Sequence, residues 1–244
     1  GGTARPKRSA RGREAAAEFP VSVDTGEVVG LAGLLGSGTG PLLRRLFGAE
    51  GAVAIQLRGR ATVLRRPSDA IRSGIGMVPG ERAKGLVLTA SGRDNILLPV
   101  FDRVGRGPGG RLWLDRAAAD VAVRQLMDTL DIRPRDPDRV VRYLSGGNQQ
   151  KVVFARWLAT RAAILLLEEP TQGIDVAAKA QIHRLIREFA EQGGGVLLAS
   201  ADLNEVLSES DSVLAMKQGA IVARLGQDEQ RSERELRAVL GAER

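Results

Sequence analysis

The sequence predicts an α/β fold in which amphipathic helices cover a largely parallel β-sheet. Short, continuously apolar runs recur along the chain, and segments with helical periodicity separate them. Strands of a parallel sheet are buried on both faces and are therefore apolar at nearly every position, which these runs match. The first run leads through a glycine-rich turn into a helical segment, as is typical of the first strand and helix of such a sheet.

The composition is that of an ordinary globular protein. The chain has 244 residues, of which 43% are hydrophobic and 27% charged, enough for one large domain or one domain with an inserted subdomain. The absence of cysteine excludes disulfides and thiolate metal sites, and a single histidine, His183, excludes a multi-histidine metal centre. We find no apolar run that could span a membrane and recognise no secretory signal. The chain begins Gly1-Gly2, without methionine, and we expect it to be part of something longer.

The glycine-rich turn has a strand before it and a helix after it. Residues 1–18 are basic, poor in apolar residues and without periodicity, so we expect a disordered linker or tail, with order from about Phe19. Val28–Gly33 is the expected strand. The helix has Pro41 in its first turn and ends at Gly48. Its expected buried positions are Leu42, Leu43, Leu46 and Phe47.

Further strands and helices alternate along the rest of the chain. The expected elements are a hairpin over 53–64 that turns at Arg58 and Gly59, a strand over 74–78, a helix over 115–132, a strand over 163–167, a helix around 180–191, a strand over 196–199 and a terminal hairpin that turns at 217–219. Apolar positions of the first helix include Ala118, Val121, Leu126 and Leu130, and those of the second include Ile182, Leu185, Ile186 and Phe189.

The turn GLLGSGTG, residues 33–40, has the glycine spacing of a phosphate-binding loop without its chemistry. The pattern of such a loop is G-x-x-x-x-G-K-[ST]. Here Thr39 occupies the lysine position and Gly40 the position of the magnesium-binding hydroxyl. The sequence leaves open whether the turn is inert or binds nucleotide weakly. The candidate phosphate-binding residues are Gly33, Gly36, Ser37, Gly38, Thr39 and Gly40.

A second motif, LSGGNQQKVVFARWLA at 144–159, places two glycines at the head of a predicted helix. Gly146 and Gly147 keep side chains away from backbone N–H groups and from the positive end of the helix, where a phosphate can approach. The segment LLLEEPTQGID then puts Glu168 and Glu169 at the end of an apolar strand, followed by Asp175. Acids at this end of a parallel strand are suited to hold magnesium and to act as a base.

Together these motifs resemble an ATP-binding cassette (ABC) domain, specifically the second of two fused cassettes in the ATPase subunits of bacterial sugar importers of the ribose, galactose and xylose type. The resemblance covers about 19–239 and includes GEVVGLAG, VPGERAKGLVL, EEPTQGIDV and LNEVLSESDSVLAM. It implies a P-loop NTPase fold, with a RecA-like core, a small antiparallel β subdomain and an inserted helical subdomain. We expect this domain over 19–244, with the core at 19–90 and 156–244 and the helical subdomain at about 91–155.

The resemblance also implies that several parts serving the chain's own nucleotide are altered. Second cassettes of this family commonly lack the phosphate-loop lysine, so Thr39 fits the subfamily. No aromatic residue precedes Phe19 to stack on adenine. The other altered positions are Gly40 for the hydroxyl, Gly80 for the glutamine loop, Glu168 for the metal-binding Walker B aspartate and Ala201 for the switch histidine.

The parts that act on a partner's nucleotide match the family. Two cassettes meet head to tail, so that each ATP lies between the phosphate loop of one and the signature motif of the other. Asp175 matches the loop that reaches across the dimer, and Glu169, the candidate catalytic base, also matches although it would serve the local site. The signature residues expected to contact the partner's ATP are Ser145, Gly146, Gly147 and Gln149.

The function implied is that of the nucleotide-binding half of an ATP-driven carbohydrate importer. ATP and Mg²⁺ would be its cofactors, weak or absent at its own site, so the isolated domain would be a weak or inert ATPase. Its partners would be a first cassette in the same chain or another subunit, two membrane permease subunits and, indirectly, an extracytoplasmic sugar-binding protein. We expect a peripheral location at the cytoplasmic face of the membrane, and no nucleic-acid partner.

Three alternatives stay open. The net charge of +7 permits a soluble, non-transport ABC protein that acts on nucleic acid or ribosomes, although such proteins usually carry two complete phosphate loops. Arg44 or Arg45 could replace the missing lysine charge, or could point to water. His183 fits a boundary position better than a catalytic one.

In the segment 80–135 we expect a groove that docks the permease, lined near Leu86, Val87 and Leu88.

Overall fold

A computed structural model describes residues 21–104, 116–226 and 232–241. The expectation of a disordered tail at 1–18 lies outside these residues. The strands are β1 (Val28–Gly33), β2 (Val53–Leu57), β3 (Arg60–Leu64), β4 (Ile75–Val78), β5 (Ile164–Glu168), β6 (Gly195–Ser200), β7 (Ser212–Lys217) and β8 (Ala220–Leu225). The helices are α1 (Thr39–Leu46), α2 (Pro67–Arg72), α3 (Arg82–Gly85), α4 (Gly92–Val104), α5 (Arg116–Thr129), α6 (Gly146–Ala159), α7 (Val176–Glu191), α8 (Leu203–Glu209) and α9 (Glu233–Leu240).

The larger sheet is mostly parallel, as predicted. Its strands lie in the order β4-β5-β6-β1-β7-β8, and all neighbours pair in parallel except β7 and β8, which form an antiparallel pair. The strands β1, β5 and β6 are apolar except at the last residues of β5 and β6, Glu168 and Ser200, because helices cover both faces of the sheet. β2 and β3 form a separate antiparallel hairpin. Both predicted hairpins are therefore confirmed.

Two apolar layers enclose the sheet. On one face α6 and α7 contribute Phe154, Ile182 and Ile186 to a core that continues into α4 and α5. On the other face α1 contributes Leu43, and the β2–β3 hairpin adds Leu64. Within the described residues, no helix is both long and apolar enough to cross a membrane.

The structure corrects the expected apolar face of α5. Ala118 and Val121 are exposed, whereas Val123, Met127 and Leu130 are buried. The helix packs against α4 and α6 on one side, and residues spaced by three and four positions share that side. Ala118 and Val121 point away from it, so their apolar character does not place them in the core.

The packing of α1 is weaker than expected, and α9 was not expected at all. Leu43 is fully buried in α1, while Leu42, Leu46 and Phe47 are only half-buried. α9 begins with a capping box, in which the Ser232 side chain accepts from the Glu235 N–H and the Glu235 carboxylate accepts from the Ser232 N–H. The S-x-x-E spacing was the sequence signal for this helix.

Two neighbouring residues of α6 join this helix to α4 and to the sheet. Arg156 of α6 donates from Nε to the Asn95 carbonyl at 2.8 Å, and from Nη2 to Asn95 Oδ1 at 3.1 Å. Burial lowers the pKa of Arg156 to about 10. One residue later Trp157 Nε1 donates to the Met77 carbonyl of β4 at 2.8 Å. These bonds fix α6, and with it the position of the SGG turn relative to the sheet.

Candidate functional site

The glycine-rich turn has the backbone of a phosphate-binding loop. It connects β1 to α1, and Gly36 and Gly38 have φ values of +82° and +99°, which favour glycine. The carbonyl of Ser37 accepts from the Gly219 N–H at 2.7 Å. A Cβ at Gly38 would lie 3.0 Å from the Gly219 Cα, so the loop is held closely against the β7–β8 turn. The N-cap of α1, Gly38, provides no side chain to the first N–H groups of the helix.

The side chains of Glu168 and Arg44 fill the space beside Gly40. A Cβ at Gly40 would overlap Glu168 Oε1 and would lie 3.0 Å from Arg44 Nη1. Arg44 Nη1 pairs with Glu168 Oε1, and Arg44 Nε pairs with Glu50 Oε1 at 2.5 Å. No group of three or more His, Cys, Asp or Glu side chains suited to a metal occurs in the described parts of the chain. The Glu168 carboxylate, which was expected to bind Mg²⁺, is already paired with Arg44.

The two candidate replacement arginines behave differently. Arg44 is committed to the carboxylates of Glu50 and Glu168, with a third of its side chain exposed (34%). Arg45 is exposed. Arg45 therefore points to water, which was one of the alternatives. Arg44 pairs with acidic side chains, so its charge is not free to replace the lysine beside the loop.

Glu169, the candidate catalytic base, is held by the end of β6. It has φ +46°, in the left-handed region that non-glycine residues rarely adopt. Its Oε1 accepts from the Ala201 N–H at 2.7 Å, and its Oε2 lies 3.5 Å from Ser200 Oγ. Burial raises its pKa, and the like charges of Glu205 and Glu168 add to this. Ala201, which takes the place of the family's switch histidine in the sequence, therefore contacts Glu169 through its backbone N–H and not through a side chain.

The glutamine-loop position lies against the same acids. A Cβ at Gly80 would lie 3.3 Å from the Glu169 Cβ and 3.4 Å from the Glu168 Cγ. The carboxyl ends of β5 and β6 are adjacent, with Glu168 opposite Ala199. The structure thus brings the predicted positions 40, 80, 168, 169 and 201 together at one edge of the sheet.

A buried carboxylate behind this edge was missed by the sequence reasoning. Glu205 accepts from Ser200 Oγ at 2.5 Å and from Thr171 Oγ1 at 2.6 Å, and its Oε1 lies 2.6 Å from His183 Nε2. Burial alone would raise its pKa, but the hydrogen bonds from His183, Ser200 and Thr171 outweigh burial and lower it. His183 lies at the edge of the core, as predicted. The network ties the turn after β5 to α7 and α8, and no local sequence pattern announces it.

The SGG turn forms a second group of functional candidates. Ser145 is the N-cap of α6, and its Oγ accepts from the Asn148 N–H at 3.4 Å and from Asn148 Nδ2 at 2.9 Å. A Cβ at Gly147 would lie only 2.6 Å from the Ala178 Cβ, so α6 and α7 approach as closely as glycine permits. Ser145 is exposed at the head of a 14-residue helix. Its surroundings therefore suit an approaching anion.

Two neighbours of the SGG turn have roles the sequence did not reveal. Gln149 Nε2 donates to the carbonyls of Val141 and Leu144 at 3.1 and 3.2 Å, so this amide shapes the chain entering α6 rather than pointing outward. Arg82 Nη1 donates to the Gln172 carbonyl at 2.9 Å, and its guanidinium carbon lies 3.4 Å from the Cβ that residue 146 would carry. Arg82 therefore links the turn after β5 to the head of α6.

Asp175 and the docking candidates are placed unequally. Asp175 is exposed and caps α7, accepting from the Ala178 N–H at 2.9 Å.

Leu86 is 7% exposed and packs in the core, and Leu88 is half-buried. Val87 is 44% exposed. Of the three residues expected near a docking groove, Val87 alone is accessible.

Comparison with known proteins identifies the family. The ABC transporter family profile matches residues 17–172. A ribose import ATP-binding protein RbsA from Bacillus licheniformis is 38% identical over 87% of this chain and 43% of its own length. An arabinose import ATP-binding protein AraG from Burkholderia thailandensis is 43% identical over 86% of this chain and 40% of its own length. The chain thus spans less than half the length of these relatives.

Solved structures agree on the fold. A nucleotide-free ATP-binding cassette from an ABC transporter superposes with a TM-score of 0.72 at 21% identity, covering 91% of this chain and 87% of the other. A cassette dimer in a post-hydrolysis state, bound to ADP and phosphate, gives a TM-score of 0.71 at 20% identity, with coverages of 86% and 89%. The mostly parallel sheet, the separate β-hairpin and the motif order are those of an ABC cassette. The chain belongs to the ABC transporter family.

Proposed function

We propose that this chain is the nucleotide-binding half of an ATP-driven carbohydrate importer, acting as the second of two cassettes. Its main contribution would be the SGG turn, which completes the ATP site of a partner cassette. The similarity to ribose and arabinose import ATP-binding proteins supports the substrate class. The match to less than half of their length is what one of two cassettes would give.

The contrast between the two groups of candidate residues carries this proposal. At the chain's own loop, threonine and glycine stand at positions 39 and 40 in place of the lysine and the hydroxyl, and Arg44 pairs with Glu168 beside Gly40. At the SGG turn, Ser145 is exposed and glycine occupies both following positions. A cassette with this pattern of altered and intact residues would contribute more to the ATP site of its partner than to its own ATP site.

The SGG turn would act on the terminal phosphate of the partner's ATP. The Ser145 hydroxyl and the N–H groups of Gly146 and Gly147 are donors at the positive end of α6. Donors fixed in advance stabilise the charge on a transferring phosphoryl group without reorganising during the reaction. Asp175, exposed at the head of α7, would contact the same partner cassette.

The chain's own site would bind ATP poorly. Two charged contacts are missing, the lysine at Thr39 and the metal-bound hydroxyl at Gly40. Each such contact contributes about 1.5–3 kcal/mol, so their loss corresponds to about 3–6 kcal/mol. A micromolar site would thereby become about millimolar or weaker. The isolated chain would have negligible ATPase activity.

The remaining assignments follow from the same proposal. The chain would lie at the cytoplasmic face of the membrane and contact two permease subunits through the surface around Val87, which is exposed beside the helical part. The expected division is a core at 19–90 and 156–244 and a helical subdomain at about 91–155. The mutual packing of α4, α5 and α6 supports a helical subdomain, and α6 (Gly146–Ala159) extends across its expected boundary with the core. A sugar-binding protein would act on the permeases from outside.

The decisive experiment uses the assembled transporter. Ser145→Phe should abolish ATP turnover and sugar uptake, because the aromatic ring blocks the phosphate approach to α6. Ser208→Phe, at an exposed serine of α8, is the matched control and should retain both activities. Full turnover in Ser145→Phe, or steady turnover by the isolated chain at micromolar Mg-ATP, would refute the proposal. A sequence-preferring nucleic-acid interaction that persists at physiological salt would favour a non-transport function instead.

A further inference from the structure

We infer that the Arg44–Glu168 ion pair takes the place of the divalent cation at the chain's own phosphate loop, so that Mg²⁺ gives no gain in nucleotide affinity there. The inference rests on the proposed function only in treating residues 33–40 as a phosphate loop. It concerns the metal specificity of this loop, whereas the proposed function concerns the SGG turn.

The side chains of Glu168 and Arg44 fill the space beside Gly40, and both depend on the glycine at that position. Gly40 has no side chain, and only for this reason can Glu168 Oε1 lie where a Cβ would otherwise be. Glu168 has one more methylene than the aspartate expected at the end of β5, which lets its carboxylate extend to α1. Arg44 follows Gly40 by four residues, one helical turn, and therefore lies on the same side of α1. Its guanidinium meets the extended carboxylate.

The Glu168 carboxylate already has a cationic partner without a metal. Arg44 is held between Glu50 and Glu168, and the Oε1 atom of Glu168 that faces Gly40 is the one that Arg44 contacts. Glu168 is 17% exposed, so screening by water is reduced there. A divalent cation entering this place would lose a carboxylate ligand to Arg44 and would be repelled by its guanidinium.

Removal of the arginine charge should therefore create metal dependence. Without Arg44, the Glu168 carboxylate is left partly buried and unpaired, which favours an incoming cation. Arg45 is the natural control, because it is the next residue of α1, carries the same charge and is exposed. Its replacement changes the net charge of the chain by the same amount but leaves the ion pair intact.

The test measures the thermal stabilisation of this chain by ATP, titrated once with excess Mg²⁺ and once with EDTA. The variants are Arg44→Leu, Arg44→Gln and the control Arg45→Leu, each checked for folding by circular dichroism. Glutamine keeps hydrogen-bonding capacity toward Glu50 and Glu168 and guards against misfolding of the leucine variant. In wild type and Arg45→Leu, the apparent ATP affinity should be the same in Mg²⁺ and EDTA. In either folded Arg44 variant, Mg²⁺ should raise the apparent ATP affinity about tenfold or more.

Two results would overturn the inference. One is a wild-type affinity that rises with Mg²⁺, which would mean that the ion pair yields to the metal. The other is a folded Arg44 variant without Mg²⁺ dependence, including one that ATP does not stabilise at all. Both leave the role of the SGG turn in a partner's ATP site untouched, since that role is tested by Ser145→Phe.

Discussion

Replacing Gly147 by alanine tests how tightly the SGG turn is built. An alanine Cβ would lie 2.6 Å from the Ala178 Cβ, whereas carbon atoms in contact are about 3.5–4.0 Å apart. The starts of α6 and α7 would have to separate by about 1 Å. Overpacking of this kind costs about 1–3 kcal/mol, and the better helix propensity of alanine returns about 0.5–1 kcal/mol. The middle of these ranges gives a net loss of about 1 kcal/mol, and their extremes allow up to about 2.5 kcal/mol.

The assay is equilibrium unfolding in urea, with Gly146→Ala as the matched control. With a slope of about 3 kcal/mol per molar urea, the midpoint of Gly147→Ala should fall by about 0.3–0.8 M. A Cβ at position 146 meets only the Arg82 guanidinium, at 3.4–3.5 Å, so Gly146→Ala should keep the propensity gain alone and have a midpoint about 0.2–0.3 M above that of wild type. Equal midpoints for both variants would refute the reasoning. In the assembled transporter, Gly147→Ala should also lower turnover, because a displaced helix start moves its N–H groups away from the phosphate.

Three further predictions concern other parts of the chain. Val87→Asp should uncouple uptake from hydrolysis in the transporter and leave the unfolding midpoint unchanged. Leu86→Asp should destabilise the chain by about 3 kcal/mol or more, because the new charge would be buried. Normal coupling in Val87→Asp would contradict a docking surface at this residue. The lowered pKa of Glu205 contributes stability that is complete above its ordinary value of 4.5 and is lost as pH falls through the folded-state pKa. Glu205→Gln should therefore be less stable than wild type at pH 7 and approach it in acid, and urea titrations giving a constant difference would be incompatible with this. Thr39→Ala should leave transporter turnover unchanged within error, since the lysine contact is already missing; a large loss of turnover would give this loop a role we do not assign to it.

Local patterns determined much of the fold and the position of the candidate site. The apolar runs at 28–33 and 163–167 announced buried strands because burial on both faces requires apolar side chains at every position. The spacing of Gly33 and Gly38 predicted a tight strand-to-helix loop. Gly38 has positive φ, and a Cβ at Gly33 would overlap Ser37 Oγ, so both positions favour glycine. The SGG motif announced a helix start for the same kind of reason. Strands, tight loops and helix starts depend on residues that are close together in the chain, so the sequence alone can predict them.

The tertiary structure alone decided what the site residues contact. Arg44 and Glu168 are separated by 124 positions, and nothing near either one indicates that they pair across the place of a metal ion. The same holds for Arg82 and Gln172, which are 90 positions apart, and for the Glu205 carboxylate beneath Glu169. Side-chain partners of this kind depend on where strands and helices meet in space, to within about an ångström. Residue types and spacing predict that two strand ends share an edge of the sheet, but not which acid there is already neutralised. For this chain, the sequence thus determined where the candidate phosphate loop lies, and the packing of α1 against the end of β5 decided that Arg44 pairs with Glu168 beside it.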